Sequence, residues 1–353
     1  MSDLLEIIKK LQSRQHLSES ECSLAAEALP RTDVNPEDKK AFLVALHEKG
    51  ETVEEVTTFA KVFRRLAADP QLADFADEAI DIVGTGGSGS KGFNISSTTA
   101  FILAASGTKV LKHGNRAITS QSGSADFLSQ QGIRMDTDPA LLRKAIEELN
   151  FCFFFAPAFH PAFKEIMPIR MELAKAGQRT VFNILGPLIN PAKPAHQMLG
   201  VFSPGWVKPL AGALHNLGLK RGVAVCSELT DGGYMDEFTT AGTNHLSGFG
   251  DMADLQTTWR PPEIGFPPCS VNELKGGTAE ENVALLDEII SGNGRQGLAD
   301  TLTLNAAVAF QVAGRVETLN EGCALAREIM LGGKLKAWID KARHFYQSTS
   351  PTE

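Results

Sequence analysis

The sequence predicts an α/β protein: a small all-helical N-terminal domain followed by a larger α/β domain with a mainly parallel sheet. Residues 1–72 contain only helical patterns, and strand-like runs alternate with helical ones after position 81. Glycine-rich or polar loops follow two of the strand-like runs. Strands that alternate with helices are typical of a parallel sheet covered by helices on both faces.

The helical domain is predicted from helix-start and helix-stop signals. Ser18 and Glu21 have the spacing of a capping box, and Pro30 ends the helix that they begin. Further helices are predicted to begin near Asn35 and at Thr52. We therefore expect a helical domain at 1–72, joined by a further helical segment near 168–190, and an α/β domain at 73–353.

The α/β domain is predicted from short apolar runs separated by amphipathic stretches. Besides the run at 81–83, the strand candidates are 109–112, 151–156, 196–202 and 222–226. The helix candidates are 97–106, 125–131, 139–149, 207–217, 279–290, 298–313 and a last stretch from Glu321 to about Tyr346.

Composition excludes several classes of protein. The 34 Lys and Arg against 42 Asp and Glu give a formal net charge of −8, which disfavours general nucleic-acid binding. The five cysteines form no CxxC pair, so neither a disulfide framework nor a zinc site is predicted. The N-terminus has no signal-peptide pattern and no apolar run is long enough to span a bilayer, so we expect a cytoplasmic protein without membrane association.

The first loop, Gly84–Ser97, is glycine-rich and stands between a strand and a helix. Five of the nine residues from Gly84 to Gly92 are glycine, which lets the backbone approach a ligand closely. Asn94 and Ser96 stand where the next helix begins, and free N–H groups there bind anions. The pattern favours a phosphate site over a plain glycine-rich turn, and it is not a Walker loop because no GKS or GKT follows.

The second loop, 112–126, reads KHGNRAITSQSGSAD and also follows a strand. A cation about 4 Å from a phosphate oxygen contributes roughly 4 kcal/mol at an effective dielectric constant near 20. A solvated polar loop in which Ser124 caps a helix is the alternative. Both loops are expected at the carboxyl edge of the sheet, where α/β folds bind ligands.

A third segment contains the adjacent carboxylates Asp236 and Glu237, bordered by glycines and threonines. Mg²⁺ commonly takes one or two carboxylates together with substrate phosphates and waters. Without other signals, such a pair on a protein surface is usually only solvated.

Together the three segments resemble anthranilate phosphoribosyltransferase, an enzyme family of the tryptophan pathway. The family signatures are GTGGDG running into NIST, KHGNRxxSSxxGSAD and a DE pair, and this chain has GTGGSG with NISS, KHGNRAITSQSGSAD and MDE. The resemblance continues through FAP and HPA at 155–162, RTVFNILGPL at 179–188, and KGG at 275–277 ahead of EEN at 280–282.

The resemblance implies transfer of the phosphoribosyl group of phosphoribosyl pyrophosphate to the amine of anthranilate, by a homodimer with two Mg²⁺ ions per monomer. It implies a fold like that of nucleoside phosphorylases and phosphoribosyltransferases, in which residues 73–353 bind phosphoribosyl pyrophosphate. No general acid or base is assigned, and catalysis by positioning and electrostatics, supported by Lys112, is expected.

The resemblance also assigns site residues. Substrate binding is implied for Gly84, Gly87, Ser88, Gly92, Asn94, Ile95, Ser96, Ser97, Lys112, His113, Gly114, Asn115, Arg116, Ala117, Ile118, Thr119, Ser120, Ser124 and Arg170. Metal binding is implied for Ser96, Asp236 and Glu237. Arg170 would pair with the anthranilate carboxylate, which Asn115 would also face. His160 would line the anthranilate channel or simply be a packed histidine before Pro161.

The chain departs from the family pattern at several positions. Ser88 replaces a family aspartate, Gly92 replaces a family threonine, and the segment 171–179 is longer than the family spacing. Two alternatives remain at this stage. One is a pyrimidine nucleoside phosphorylase-like enzyme, and the other is a non-catalytic nucleic-acid-binding paralogue, which the charge of −8 disfavours.

Overall fold

A computed structural model describes residues 3–87, 92–116 and 121–349 of the chain. Its N-terminal part consists of the four helices α1 (Asp3–Gln12), α2 (Glu19–Ala28), α3 (Pro36–Lys49) and α4 (Val53–Arg65). Ser18 and Glu21 form the predicted capping box, and Thr52 forms another with Glu55 at the start of α4. The local signals therefore fixed the helix starts, because each cap binds N–H groups that the helix itself leaves unpaired.

Eight strands in the described part of the chain form one sheet: β1 (Ile80–Gly84), β2 (Val110–Gly114), β3 (Phe151–Phe155), β4 (His196–Gly200), β5 (Arg221–Leu229), β6 (Tyr234–Met235), β7 (Gly242–Gly250) and β8 (Gln256–Trp259). The order is β3-β2-β1-β4-β5-β7-β8, and β6 pairs with β5. The first five strands of this order run parallel, while β7 and β8 run antiparallel to their neighbours. The predicted mainly parallel sheet is confirmed.

The helices around the sheet are α5 (Ala73–Ala76), α6 (Ile95–Ala105), α7 (Ser124–Gln130), α8 (Pro139–Leu149), α9 (Ala156–Phe159), α10 (Met167–Lys175), α11 (Phe182–Leu185), α12 (Val207–Asn216), α13 (Ala279–Ile290), α14 (Gln296–Val312), α15 (Leu319–Leu331) and α16 (Lys334–Ser348). Short 3-10 helices lie at Pro161–Phe163, Gly186–Leu188, Pro204–Trp206, Pro261–Ile264 and Val271–Leu274. Within the described ranges, no helix is both long enough and apolar enough to cross a bilayer.

Two expectations about the elements were wrong. The strands β7 and β8 were not predicted, because their sequences are rich in Gly, Thr, Ser and Gln and lack a continuous apolar run. The predicted last helical stretch is two helices, α15 and α16. The Gly332-Gly333 pair separates them, and Gly333 has a φ of 85°, a conformation that a helix interior does not contain.

Two apolar clusters pack on the sheet. One contains buried residues of α1–α4 together with residues of α10, α11 and α12, and it includes Leu199 of β4 and Ala224 of β5. The other contains Ile82 of β1, α6, α14 and the C-terminal helices. The segment 167–185 thus shares its core with the N-terminal helices. This supports our proposed domain boundaries, 1–72 with 168–190 and 73–353, which stay a prediction.

Candidate substrate and metal site

The first loop begins where β1 ends, at the carboxyl edge of the sheet. Gly86 and Gly87 have φ values of 66° and 74°, which residues with a side chain rarely adopt. The Thr85 N–H donates to the Gly200 carbonyl oxygen at 2.9 Å, and the Phe202 N–H donates to Thr85 Oγ1 at 3.0 Å. These bonds fix the start of the loop to the end of β4. The predicted residue Ser88 lies outside the described residues.

The Asp-Glu turn contacts the first loop on both sides. The Gly86 N–H donates to Asp236 Oδ2 at 2.9 Å. Ser96 donates to Glu237 Oε1 twice, from its hydroxyl at 2.6 Å and from its backbone N–H at 3.2 Å. The three residues predicted to bind metal are therefore brought together with the glycine loop, although the turn is more than 100 residues further along the chain.

Two strand-end glycines make this approach possible. A Cβ atom on Gly84 would lie 2.4 Å from Asp236 Oδ2, and one on Gly200 would lie 1.6 Å from the Asp236 carbonyl oxygen. Any larger residue at position 200 would collide with backbone, which cannot rotate away as a side chain can. Gly200 was not predicted as functional, and its sequence carries no local signal for this contact.

The two carboxylates form a negative centre. Burial and the charge of Asp236 together raise the pKa of Glu237 to about 8, although the Ser96 hydrogen bonds and the charge of Lys112 oppose the rise. Two close carboxylates disfavour each other's charged forms, and a divalent cation relieves that repulsion. No group of three or more His, Cys, Asp or Glu residues suited to a metal exists in the described ranges. Two adjacent carboxylates suit Mg²⁺, which commonly takes one or two carboxylates together with substrate phosphates and waters.

The start of α6 lies beside the first loop. Ile95 and Ser97 are buried, so their side chains do not reach the surface. Asn94 occupies the N-cap position, but its side chain makes no capping hydrogen bond. Its amide nitrogen donates instead to the Ser122 carbonyl oxygen at 3.3 Å, and the Ser122 hydroxyl donates to Asn94 Oδ1 at 3.0 Å. This contact joins the first loop to the second.

The second loop leaves the sheet at the end of β2. The Ser124 hydroxyl donates to the Asn115 carbonyl oxygen at 3.1 Å, and Arg116 forms an ion pair with Asp126 at 3.0 Å. The N-cap of α7 is Gly123 rather than Ser124. The predicted residues Ala117, Ile118, Thr119 and Ser120 lie outside the described residues.

Lys112 lies beneath this edge of the sheet rather than on its surface. It is 2% exposed, and its ammonium group donates to the Ile82 carbonyl oxygen. Burial lowers the pKa of Lys112, while the negative charges of Asp81 and Glu237 oppose that effect. Its positive charge therefore lies just beneath the edge of the sheet where the two loops begin.

A buried carboxylate supports the second loop from below. Asp81 accepts a hydrogen bond from the amide of Asn190 at 2.8 Å and one from the His113 N–H at 3.3 Å. Burial raises the pKa of Asp81 to about 6. Neither Asp81 nor Asn190 was predicted as a site residue. Asp81 lies within a strand and Asn190 in a connecting segment, and the sequence around them contains no motif that indicates a function.

The guanidinium group of Arg170 lies close to two aromatic rings. Its guanidinium carbon is 5.7 Å from the centre of the Phe163 ring and 5.2 Å from that of Phe182. Ring contacts continue from Phe163 to His160 at 5.8 Å and from His160 to His113 at 5.8 Å. This row of rings connects Arg170 to the end of β2, and Phe163 and Phe182 were not predicted as site residues.

Two groups in this row have shifted pKa values. Burial lowers the pKa of Arg170 to about 10, so the guanidinium stays charged at neutral pH. Burial lowers the pKa of His160 to about 4, so its imidazole is neutral. His160 is 3% exposed and its Nε2 has no hydrogen-bond partner within the described part of the chain.

The chain is similar to known proteins over nearly its whole length. Residues 5–67 match the model of the glycosyl transferase family helical bundle domain, and residues 76–336 match that of the glycosyl transferase family a/b domain. An anthranilate phosphoribosyltransferase from a Bradyrhizobium species is 41% identical over 339 residues, which is 96% of this chain and 97% of that protein. The Deinococcus radiodurans anthranilate phosphoribosyltransferase is 39% identical over 325 residues, which is 92% of this chain and 94% of that protein.

Solved structures of anthranilate phosphoribosyltransferases are also similar to this chain over nearly its whole length. The crystal structure of anthranilate phosphoribosyltransferase from Thermus thermophilus superposes with a TM-score of 0.86 at 39% identity, covering 97% of this chain and 99% of that one. The Saccharomyces cerevisiae enzyme, in complex with phosphoribosyl pyrophosphate and Mg, superposes with a TM-score of 0.82 at 25% identity, covering 98% of each chain.

Proposed function

Because this chain belongs to the anthranilate phosphoribosyltransferase family, we propose that it transfers the phosphoribosyl group of phosphoribosyl pyrophosphate to the amine of anthranilate, releasing pyrophosphate. One observation carries the proposal beyond family membership. The turn with Asp236 and Glu237 bonds to both sides of the glycine loop, and Asn94 joins that loop to the second one. An anion-binding loop and a pair of carboxylates in one place suit a substrate that arrives with a divalent cation.

The leaving group determines what the loops have to do. Pyrophosphate carries several negative charges. Further negative charge develops on the oxygen that joined it to the anomeric carbon as the bond between them breaks. We propose that the backbone N–H groups of the first loop and of the start of α6 bind these oxygens, with Lys112 adding positive charge from beneath the sheet edge. Groups that are held in place before reaction need no reorganisation as the charge develops.

Ser96, Asp236 and Glu237 would hold Mg²⁺, and their close contacts support this. When bound, the metal would neutralise negative charge on the pyrophosphate. Two ions per monomer, with Ser96 contacting one, Asp236 the other and Glu237 both, is our proposal for this site. The Mg in the yeast complex supports the use of magnesium.

The acceptor would lie along the row of rings between Arg170 and His113. A guanidinium that is partly desolvated between two aromatic rings pairs strongly with a carboxylate, which anthranilate offers. The aromatic amine of anthranilate is already neutral at pH 7, so the reaction requires no strong general base. The role of the protein is then to align the amine with the anomeric carbon.

Further features are proposed from the resemblance and from the composition of the sequence. We propose a homodimer, a cytoplasmic location and no affinity for nucleic acid, the last supported by the net charge of −8. Light scattering of the purified protein tests the dimer, and a gel shift at physiological salt tests nucleic-acid binding.

The function is tested by incubating the purified protein with Mg²⁺, phosphoribosyl pyrophosphate and anthranilate. We expect the anthranilate fluorescence to fall as the amine is converted. Folded protein that leaves this fluorescence unchanged in repeated assays would refute the proposal. Phosphorolysis of thymidine or uridine by the same preparation would instead support the nucleoside phosphorylase alternative.

The metal site is tested by the double variant Asp236→Ala with Glu237→Ala. Because both carboxylates are removed, we expect the activity to fall at least about a hundredfold and the response to Mg²⁺ to be lost. Asp231→Ala, which removes an exposed carboxylate from the same loop region, is the control. A double variant whose Mg²⁺ titration matches that of the wild type would rule out the metal role.

A further inference from the structure

The KGG motif at 275–277 and the EEN motif at 280–282 lie against the first loop. The Phe93 N–H donates to the Leu274 carbonyl oxygen at 3.1 Å, and Gly92 forms an antiparallel bridge with Lys275. A Cβ atom on Gly276 would lie 2.7 Å from Phe93 Cα and 2.8 Å from the Gly92 carbonyl oxygen. The segment Leu274–Gly277 is therefore packed backbone to backbone against the residues that lead into α6.

Asn282, in the first turns of α13, connects this segment to Asn94. The Gly277 N–H donates to Asn282 Oδ1 at 2.8 Å. The Asn282 amide nitrogen donates to Asn94 Oδ1 at 2.7 Å. Asn282 is completely buried, so water does not replace either bond.

These bonds determine which end of the side-chain amide is the nitrogen, first in Asn282 and then in Asn94. A backbone N–H can only donate, so the atom of Asn282 that faces Gly277 is the oxygen, and its nitrogen faces Asn94. Because that nitrogen donates, the atom of Asn94 that receives it is also the oxygen. The Ser122 hydroxyl donates to the same Asn94 oxygen at 3.0 Å.

The consequence is a defined donor at the start of α6. The amide nitrogen of Asn94 carries two hydrogens, and one of them goes to the Ser122 carbonyl oxygen. The other has no partner among the residues that the structure describes. It is available to an acceptor such as a phosphate oxygen, whereas a reversed amide would present a carbonyl oxygen and repel one.

We infer that Asn282 is a positioning residue for the phosphoribosyl pyrophosphate site, because it determines which end of the Asn94 amide is offered to the substrate. Asn282 touches no substrate itself and acts through Asn94. The inference rests on the proposed function for the identity of the substrate, and on the hydrogen bonds from Gly277 through Asn282 to Asn94 for the mechanism.

Two variants separate orientation from packing. Asn282→Asp keeps the shape and still accepts from Gly277, but it offers Asn94 an oxygen and favours reversal of the Asn94 amide. Asn282→Ala removes the side chain and leaves the Asn94 amide oriented only by its two hydrogen bonds with Ser122, which is a weaker bias. We expect the KM for phosphoribosyl pyrophosphate to rise about tenfold in the Asp variant and about threefold in the Ala variant, with kcat and the KM for anthranilate changed less than about twofold.

Binding of pyrophosphate with Mg²⁺, measured by calorimetry, should weaken in the same order. Gln131→Ala is the matched control, since Gln131 is a buried amide bonded to Arg343. It should lower the melting temperature without changing the KM for phosphoribosyl pyrophosphate. A purely structural role for Asn282 predicts the opposite order, because alanine removes more contacts than the isosteric aspartate.

An Asp variant that matches the wild type in KM and in pyrophosphate binding would overturn the inference and leave the proposed function intact. So would an Ala variant more impaired than the Asp variant. Wild-type protein that consumes no anthranilate would overturn the proposed function, and the calorimetric order would then decide the positioning role by itself.

Discussion

Replacing Gly200 by alanine should displace the turn that contains Asp236 and Glu237 while leaving the rest of the sheet in place. Gly200 ends β4, and its added Cβ would lie 1.6 Å from the Asp236 carbonyl oxygen and 2.5 Å from the Asp236 carbonyl carbon. Ordinary van der Waals contact begins at 3.4 Å, so the added Cβ and the Asp236 carbonyl oxygen, which would be 1.6 Å apart, must separate by a further 1.8 Å. Both partners belong to the backbone, so a change of rotamer cannot provide this space.

A shift of that size breaks the contacts that define the site. The bond from the Gly86 N–H to Asp236 Oδ2 is 2.9 Å long and the bond from the Ser96 hydroxyl to Glu237 is 2.6 Å long, so neither survives a displacement of 1.8 Å. A misplacement of about 1 Å can cost about a hundredfold in rate. We therefore expect kcat/KM to fall at least about a hundredfold, at a cost in stability of about 1–3 kcal/mol from overpacking.

The assay is the loss of anthranilate fluorescence, measured over a Mg²⁺ titration together with the melting temperature. Gly205→Ala is the control, because Gly205 lies five residues further on and its Cβ would have no neighbour within 4 Å. The control should keep both activity and Mg²⁺ response. A Gly200→Ala protein with wild-type kcat/KM and Mg²⁺ dependence would refute the reasoning that Gly200 holds the turn in place.

Two further predictions concern charge. The pKa of Glu237 is raised in the folded protein. Between pH 4.5 and about pH 8 the folded state therefore keeps a proton that the unfolded chain releases. Because of this difference, Glu237 makes the metal-free protein less stable as the pH rises through that range. Glu237→Gln should therefore raise the melting temperature in EDTA relative to wild type more at pH 8 than at pH 5, and a pH-independent difference would contradict the raised pKa. Arg170→Lys should raise the KM for anthranilate about tenfold, because lysine lacks the planar, bidentate group that fits between Phe163 and Phe182. An equal rise in the KM for phosphoribosyl pyrophosphate would argue against a role specific to the acceptor.

The parts of the fold that could be predicted depend on local chemistry. The capping box at Ser18 and the proline-led helix α3 are specified by residues within one helical turn. The parallel strands could be found because buried strands such as Phe151–Phe155 are continuous apolar runs. The antiparallel strands β7 and β8 were missed because they carry mixed polar residues, and such strands are defined by pairing with a neighbour rather than by their own pattern.

The site could be predicted only in part, for a related reason. The glycine loop and the second loop each contain, within a few neighbouring residues, the groups that we propose to bind phosphate. Phe163 and Phe182 carry no such pattern, and they became part of the site only through their contacts with Arg170. The substrate role of Lys112 stays a prediction, and only the structure gives the contact of its ammonium group with the Ile82 carbonyl oxygen.

The helical domain, the mainly parallel sheet and the two loops that we propose to bind anions could be recognised in the sequence alone, because each is encoded by residues close together in the chain. Only the tertiary structure decided that Asp236 meets Gly86 across 150 residues and that Asn282 meets Asn94 across 188. Those contacts depend on strand order and register. The turn after β5 reaches the first loop because β4 alone separates β5 from β1, and because glycine at the end of β4 leaves room for the turn.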